Sequence, residues 1–137
     1  MEKKKSSNNF EDLFVWQKAH EFVLMAYSAT KNFPKEELFC LTSQFRRAAI
    51  SITANIAEGY KRTGHNDKLR FYNISQGSIE ECRNYIILSK DLGYFNLDIK
   101  NNLLKILQEA SYLLNTYCKS LISNVSKNNL KQPITSP

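Results

Sequence analysis

The sequence is poor in the residues that break helices and build turns. It contains four glycines and three prolines among 137 residues, whereas β folds need such residues at their many turns. No apolar run approaches the roughly 18 residues of a membrane-spanning helix. The N-terminus does not resemble a signal peptide, because Lys3–Lys5 are followed by serines and asparagines and not by an apolar segment. We therefore predict a helical, cytoplasmic protein that does not enter a membrane.

Cysteine and histidine are also sparse, and their spacing favours no site. Cys40, Cys82 and Cys118 are odd in number and widely separated, which disfavours a disulfide framework and a zinc site. Neither His20 nor His65 has a carboxylate or thiol at ligand spacing. Glycine-rich phosphate loops and nucleophile motifs are lacking as well. The sequence thus predicts a protein without catalytic activity, metal or cofactor.

What the sequence does contain is helical periodicity in a chain of single-domain size. Four amphipathic segments follow one another with short connections between them, which is typical of antiparallel neighbours. We predict an all-α fold, an antiparallel up-down four-helix bundle over residues 12–123. Flexible tails are expected at residues 1–11 and 124–137, the second of them basic. The second helix is expected to open at or just after Pro34, with Leu38 on its buried side.

Positive charge is the second prominent feature. The net charge of +6 favours acidic partners, above all nucleic acid. Arginine presents a planar fork of donors that matches phosphate, and aromatic side chains such as Tyr60 and Phe71 stack on bases. These features predict a phosphate-contacting patch on the second helix and the segment after it; the alternative is an ordinary solvated helix end. The candidate residues are Arg46, Arg47, Lys61, Arg62, Lys68 and Arg70.

Three further polar residues are interpreted as structural or as contacts between subunits. Asn55 interrupts a small, apolar run, which is typical of a buried hydrogen-bonding residue that sets helix register. Glu58 lies about 18 Å along the helix from Arg46, so we expect it to pair with a neighbouring helix or subunit. Glu81 is expected to bind an arginine of a partner helix, or else to face solvent. Extra apolar stripes on the third and fourth helices predict a face covered by another subunit.

The run LTSQFRRAAISITANIAEG, from Leu41 to Gly59, resembles the signature of the 23S ribosomal RNA intervening-sequence proteins, also called the four-helix bundle protein family. Shorter stretches at 13–19, 33–37, 77–81 and 90–94 match as well. The resemblance covers about residues 10–122. One departure is Thr53, where many members have proline. The absence of that proline removes a helix kink.

The resemblance implies an antiparallel four-helix bundle, a ring-like homopentamer and no established catalytic activity. Genes for some members lie in intervening sequences within 23S ribosomal RNA genes. The family is also similar to the accessory protein of diversity-generating retroelements, a basic pentamer that contacts a reverse transcriptase and nucleic acid. We therefore expect the partners to be further copies of this chain, RNA or DNA, and a nucleic-acid-processing protein. The alternative is a protein scaffold or accessory subunit that touches no nucleic acid.

Overall fold

The backbone is described for residues 9–131 in a computed structural model, and the side chains for residues 9–124. This part of the chain forms four α-helices and two short 3-10 segments, and it contains no strand. The all-α fold class is therefore confirmed. The helices are α1 (Phe14–Thr30), α2 (Leu41–Lys61), α3 (His65–Asp91) and α4 (Leu97–Lys131).

Each helix packs against two neighbours, as a square bundle requires. The contacting pairs are α1 with α2, α2 with α3, α3 with α4, and α4 with α1, whereas the diagonal pairs lie farther apart. The connection between α2 and α3 spans only residues 62–64, and that between α3 and α4 residues 92–96. Short connections force neighbouring helices to run antiparallel. The predicted up-down bundle is confirmed.

Small side chains let α2 and α3 approach most closely. The Ser75 hydroxyl donates to the backbone carbonyl of Ile52 at 2.9 Å, so a side chain of α3 reaches the backbone of α2. The Ser78 hydroxyl bonds to that of Ser51 at 2.8 Å. Large apolar side chains, including Phe45 and Tyr72, fill the interior around this seam and are fully buried. The two serine contacts set the register of α2 against α3.

The start of α2 differs from the prediction. Pro34 is extended (ψ 144°) and precedes a 3-10 segment at Lys35–Glu37, and α2 itself begins only at Leu41. Cys40, immediately before the helix, has φ −121° and ψ −106°, which interrupts the helical path. Leu38 therefore lies outside the helix and is 51% exposed, so its predicted burial is wrong. Beyond this point α2 runs unbroken through Thr53.

The ends of the bundle also differ from the predicted tails. Phe10 and its neighbours form a 3-10 segment, and the Phe10 ring packs edge-on against Trp16 at 5.2 Å between centroids. At the other end α4 continues to Lys131, because residues 124–131 contain no glycine or proline to end it. The rest of the predicted tails, residues 1–8 and 132–137, lies outside the described residues.

The described part of the chain contains neither a membrane-spanning helix nor a disulfide. No helix in residues 9–131 combines the length and apolar character needed to cross a bilayer. Cys82 and Cys118 are buried in the core and Cys40 is exposed, and all three are free thiols. Burial raises the pKa of the Cys82 thiol, which keeps it protonated and chemically inert at neutral pH.

Gly59, near the end of α2, leaves room for the ring of Tyr72 against the helix backbone. A Cβ at this position would lie 2.6 Å from Cε1 of Tyr72. The Tyr72 ring has no room to retreat, because it is fully buried and packs edge-on against Tyr117 at 5.4 Å. The Tyr72 hydroxyl is buried without a hydrogen-bond partner, and this burial raises its pKa. The Tyr72 ring can therefore pack in this place only because residue 59 has no side chain.

We expect Gly59→Ala to lower the free energy of unfolding by about 1–3 kcal/mol, the usual cost of overpacking a core. Gly77→Ala is the matched control. Gly77 lies inside α3, and apart from its chain neighbours and its own helix backbone no atom lies within 4 Å of the place that an alanine methyl group would occupy. Alanine should therefore stabilise by about 0.5–1 kcal/mol. Urea unfolding followed by circular dichroism measures both. Equal effects of the two substitutions would contradict this account of Gly59.

Candidate nucleic-acid interface

The six basic candidates fall into two groups. Arg46 and Arg47 lie in the second turn of α2, and the other four surround the connection between α2 and α3. Arg47 and Lys61 are 14 positions apart, about 21 Å along the helix. The structure therefore divides the predicted patch between the two ends of α2. We call the second group, Lys61, Arg62, Lys68 and Arg70, the α2–α3 corner.

Arg46 is engaged in holding α1 against α2. Its Nε donates to the hydroxyl of Thr30 at 2.9 Å, and its Nη2 lies 3.5 Å from the carbonyl oxygen of Tyr27. Its guanidinium also stacks over the Tyr27 ring, 4.6 Å from the centroid. Thr30 in turn donates to the carbonyl of Ala26 at 2.8 Å. These contacts give Arg46 a structural role at the end of α1.

Arg47 and Lys61, by contrast, have no partner within the described chain. Both side chains are exposed, and neither takes part in an ion pair or a side-chain hydrogen bond among residues 9–124. A long cationic side chain without a partner keeps all its donors for a ligand. Arg47 and Lys61 are therefore the members of the predicted set that are available without rearrangement.

At the corner two guanidinium groups converge on one ring and one carboxylate. Arg62 lies 4.6 Å from the centroid of Phe71, and Arg70 lies 4.7 Å from it. Arg70 donates from both Nε and Nη2 to Oδ1 of Asp67, at 3.2 and 3.0 Å. Arg62 pairs with Oδ2 of Asp67 at 3.7 Å and with Glu58 at 3.3 Å. Asp67 thus contacts both arginines, Arg70 through two hydrogen bonds and Arg62 through a longer ion pair.

Lys68 closes the end of α2. Its Nζ donates to two backbone carbonyls in the last turn of α2, those of Gly59 at 3.1 Å and of Tyr60 at 2.6 Å. Its ammonium also lies 5.5 Å from the centre of the Tyr60 ring. Burial lowers the pKa of Lys68. Lys68 is therefore better described as a cap for α2 than as a phosphate contact.

The electrostatic balance of the corner remains positive. Four cations stand against the two carboxylates of Glu58 and Asp67. The braced guanidiniums are still accessible, since the Arg70 side chain is 65% exposed and that of Arg62 is 39% exposed. Guanidiniums held in a fixed plane lose less entropy when they bind a phosphate. The corner can therefore offer two oriented arginines, next to Lys61, to a phosphate chain.

A groove of about 560 Å³ adjoins the corner. Three aromatic side chains, Phe10, Tyr60 and Phe71, contribute to its wall, and Ala54 and Ala57 form part of its base. The small side chains of α2 leave this space open. The alanines of α2 could have indicated the groove from the sequence. The contribution of Phe10 could not have been predicted, because it depends on the path of the chain before α1.

The residues expected to have structural roles make different contacts from those predicted. Asn55 is half-buried, and its amide donates to the carbonyl and hydroxyl of Ser51 in the same helix, at 2.8 and 3.0 Å. The direct link to α3 is made by Ser51, not by Asn55. Glu58 pairs with Arg62 one turn away in the same chain, so a neighbouring helix is not its partner. Glu81 is exposed, and it forms no ion pair or hydrogen bond within residues 9–124.

No metal-binding cluster occurs in the described part of the chain. Within residues 9–131, no three histidine, cysteine, aspartate or glutamate side chains come together in a way that would hold an ion. His20 stacks on Trp16 with 4.7 Å between ring centroids, and His65 is the first residue of α3. His20 therefore packs against an aromatic ring, and His65 lies at the start of a helix.

We expect Arg46→Gln to lower the free energy of unfolding by about 1–2 kcal/mol, because it removes hydrogen bonds between α1 and α2. Arg47→Gln, one residue along the helix and identical in charge change, should alter it by less than about 0.5 kcal/mol. Thermal and urea unfolding of the two variants provide the comparison. Equal stability of the two would show that the Arg46 contacts do not hold α1.

Comparisons with known proteins agree with this architecture. A family model described as 23S rRNA-intervening sequence protein matches residues 11–116. Among solved structures, a protein of unknown function from the S23 ribosomal protein family of Bacteroides thetaiotaomicron is similar in fold, with a TM-score of 0.71 and 24% sequence identity. The match covers 77% of this chain and 95% of that one. No curated protein matches the chain. The family model spans most of the bundle, and the chain belongs to the family of 23S rRNA-intervening sequence proteins.

Proposed function

We propose that this chain is a non-catalytic, homo-oligomeric protein that binds RNA or other nucleic acid through its basic surface. The observation that carries the proposal is the pair of guanidiniums, Arg62 and Arg70, held around Phe71 by a shared carboxylate. Preorganised, accessible arginines beside an aromatic ring suit a phosphate chain with exposed bases.

Unpaired positive charges lie both within the corner and beyond it. Lys61 is exposed and unpaired next to Arg62, and Arg47 is exposed and unpaired about 21 Å away along α2. That distance exceeds the spacing of adjacent phosphates several-fold. One extended strand, or one RNA fold, would therefore contact both ends of α2 together.

Self-association would repeat this surface and raise its avidity. Several weak sites on one rigid assembly act together because binding at the first raises the effective concentration at the next. The number of subunits that the resemblance implies is five. A homopentamer would thus convert a modest excess of charge in one chain into a ring of five corners.

Exposed apolar side chains of α2 and α3 that do not line the groove form the surface that we propose for self-association. Apolar side chains stand exposed there, with Ile50 44%, Ile74 47% and Leu88 41% exposed. Arg47 lies one turn before Ser51 and Glu81 about one turn after its partner Ser78, so in antiparallel helices these two opposite charges are level with each other. They form no ion pair within the chain. A neighbouring copy would supply Glu81 with a basic partner, whereas Arg47 is assigned to nucleic acid.

A steep dependence on salt is the first expectation from the proposed function. The affinity for RNA should fall as salt rises, because phosphate contacts release bound counterions. The double variant Lys61→Gln with Arg62→Gln should reduce the slope of log K against log salt by about 1 to 2. Fluorescence anisotropy with a labelled RNA at several salt concentrations measures this.

The control for that experiment is Lys100→Gln with Lys105→Gln in α4, which removes the same charge at the opposite part of the bundle. It should leave the slope nearly unchanged. A flat salt response of the unmodified protein, or equal losses in the two double variants, would speak against an interface at the corner.

The proposed assembly has its own expectation. Light scattering should give a mass of about five times the 15.9 kDa of one chain. Ile50→Asp should lower that mass, because a charged side chain would enter an apolar contact. Leu24→Asp, which places the same charge on the exposed side of α1, should leave it intact. A monomeric unmodified protein, or the same loss of mass with Leu24→Asp, would exclude this surface.

A second candidate function is a protein scaffold or accessory subunit without nucleic-acid contact. The exposed apolar side chains on α2 and α3 favour it, since such patches also mark contacts with other proteins. A nucleic-acid-processing protein is the partner we propose in that case. Retention of a purified partner of this type after nuclease treatment, together with no binding of RNA alone, would distinguish this function from the first.

A further inference from the structure

The groove beside the α2–α3 corner has the size and the walls of a small-ligand site. Its volume of about 560 Å³ lies within the range of about 300–1,000 Å³ that such sites occupy. Three aromatic residues, Phe10, Tyr60 and Phe71, are among those that line it. The rings of nucleobases stack favourably on aromatic side chains, whatever the base. The groove therefore offers aromatic side chains, on which an unpaired base can stack and which a phosphate does not use.

Phe71 joins the groove to the charged corner. It lines the groove, and its ring also carries the guanidiniums of Arg62 and Arg70. A base in the groove would consequently have its own sugar and phosphate next to two arginines and to Lys61, whose exposed side chain lies at the groove. Base site and phosphate site thus meet within the reach of one nucleotide.

The polar groups of the groove also suit a base. Asn55 lines the groove. Its amide nitrogen is engaged by Ser51 of the same helix, so its carbonyl oxygen is the group that a ligand would use. Glu58 also lines the groove, and Arg62 at 3.3 Å offsets the charge of its carboxylate. Both are acceptors for the amino groups of bases. A free phosphate would meet the carboxylate unfavourably, whereas a base edge would not.

We infer that this groove receives one unpaired base of a single strand, so that the ligand class of the proposed interface is single-stranded nucleic acid. The inference rests on the proposed function and adds the class of ligand to it. A duplex keeps its bases stacked and paired, so it would reach the corner only through phosphates. Single strands and duplexes should therefore depend differently on the groove.

Ala54→Leu tests the inference, because it fills the groove without changing charge. Ala54 is exposed on α2, so leucine there should not disturb the core. We expect its affinity for a 12-nucleotide single-stranded RNA to fall by about fivefold or more, the loss of one stacked base. Its affinity for a duplex with the same number of phosphates should stay within twofold of the unmodified protein's. Fluorescence anisotropy at one salt concentration measures both.

Two further variants separate the causes. Gln44→Leu adds the same exposed leucine at the other end of α2 and should change neither affinity. Lys61→Gln should weaken both forms of RNA alike, since it removes a phosphate contact. Light scattering on Ala54→Leu should give the mass of the unmodified protein.

Three results would overturn the inference while leaving the proposed function standing. They are an unchanged affinity of Ala54→Leu for the single strand, an equal loss for single strand and duplex, and a changed mass of the assembly. The last would mean that a second copy of the chain covers the groove. If the unmodified protein binds neither form of RNA in a salt-dependent manner, the proposed function itself fails, and the inference fails with it.

Discussion

Two serine hydroxyls and one glycine hold α2 and α3 against each other, and the candidate site depends on that contact. Ser75 reaches the backbone of α2, Ser78 bonds to Ser51, and Gly59 makes room for the ring of Tyr72. Because small side chains line this seam, the two helices approach closely over most of their length. The end of α2 and the start of α3 are thereby brought together within a connection of three residues. The cations that flank this connection converge for the same reason.

Net charge overstates the charge that this protein can offer to a ligand. Of the six candidates, Arg46 binds α1 and Lys68 caps α2, while Arg62 and Arg70 are braced by carboxylates. Internal pairing reduces the local field, but it also fixes the planes of the guanidiniums and so lowers the entropy lost on binding. The corner therefore exchanges some long-range attraction for a defined geometry. This distinguishes a shaped site from a diffuse basic surface.

Periodicity was sufficient to predict the fold, because apolar residues at helical spacing in four consecutive segments leave few architectures. It did not predict the start of α2, since proline suits a first helical position and a 3-10 turn equally well. The types of residue at the site were also predictable, but their partners were not. The contact of Arg46 with Thr30 and the groove between Phe10 and Phe71 join segments far apart in sequence. Asn55 shows the same limit. The apolar residues around it suggested a hydrogen bond between helices, but its hydrogen bonds lie within α2.

The brace at the corner has a thermodynamic consequence. One carboxylate, Asp67, contacts two guanidiniums, and one ring, Phe71, contacts the same two. Groups that share partners in this way do not contribute independently, and their coupling free energies reach about 0.5–3 kcal/mol. If one of the two arginines is removed, the other no longer shares the carboxylate of Asp67. The corner is therefore one cooperative unit, in which the effect of each side chain is defined only together with the others.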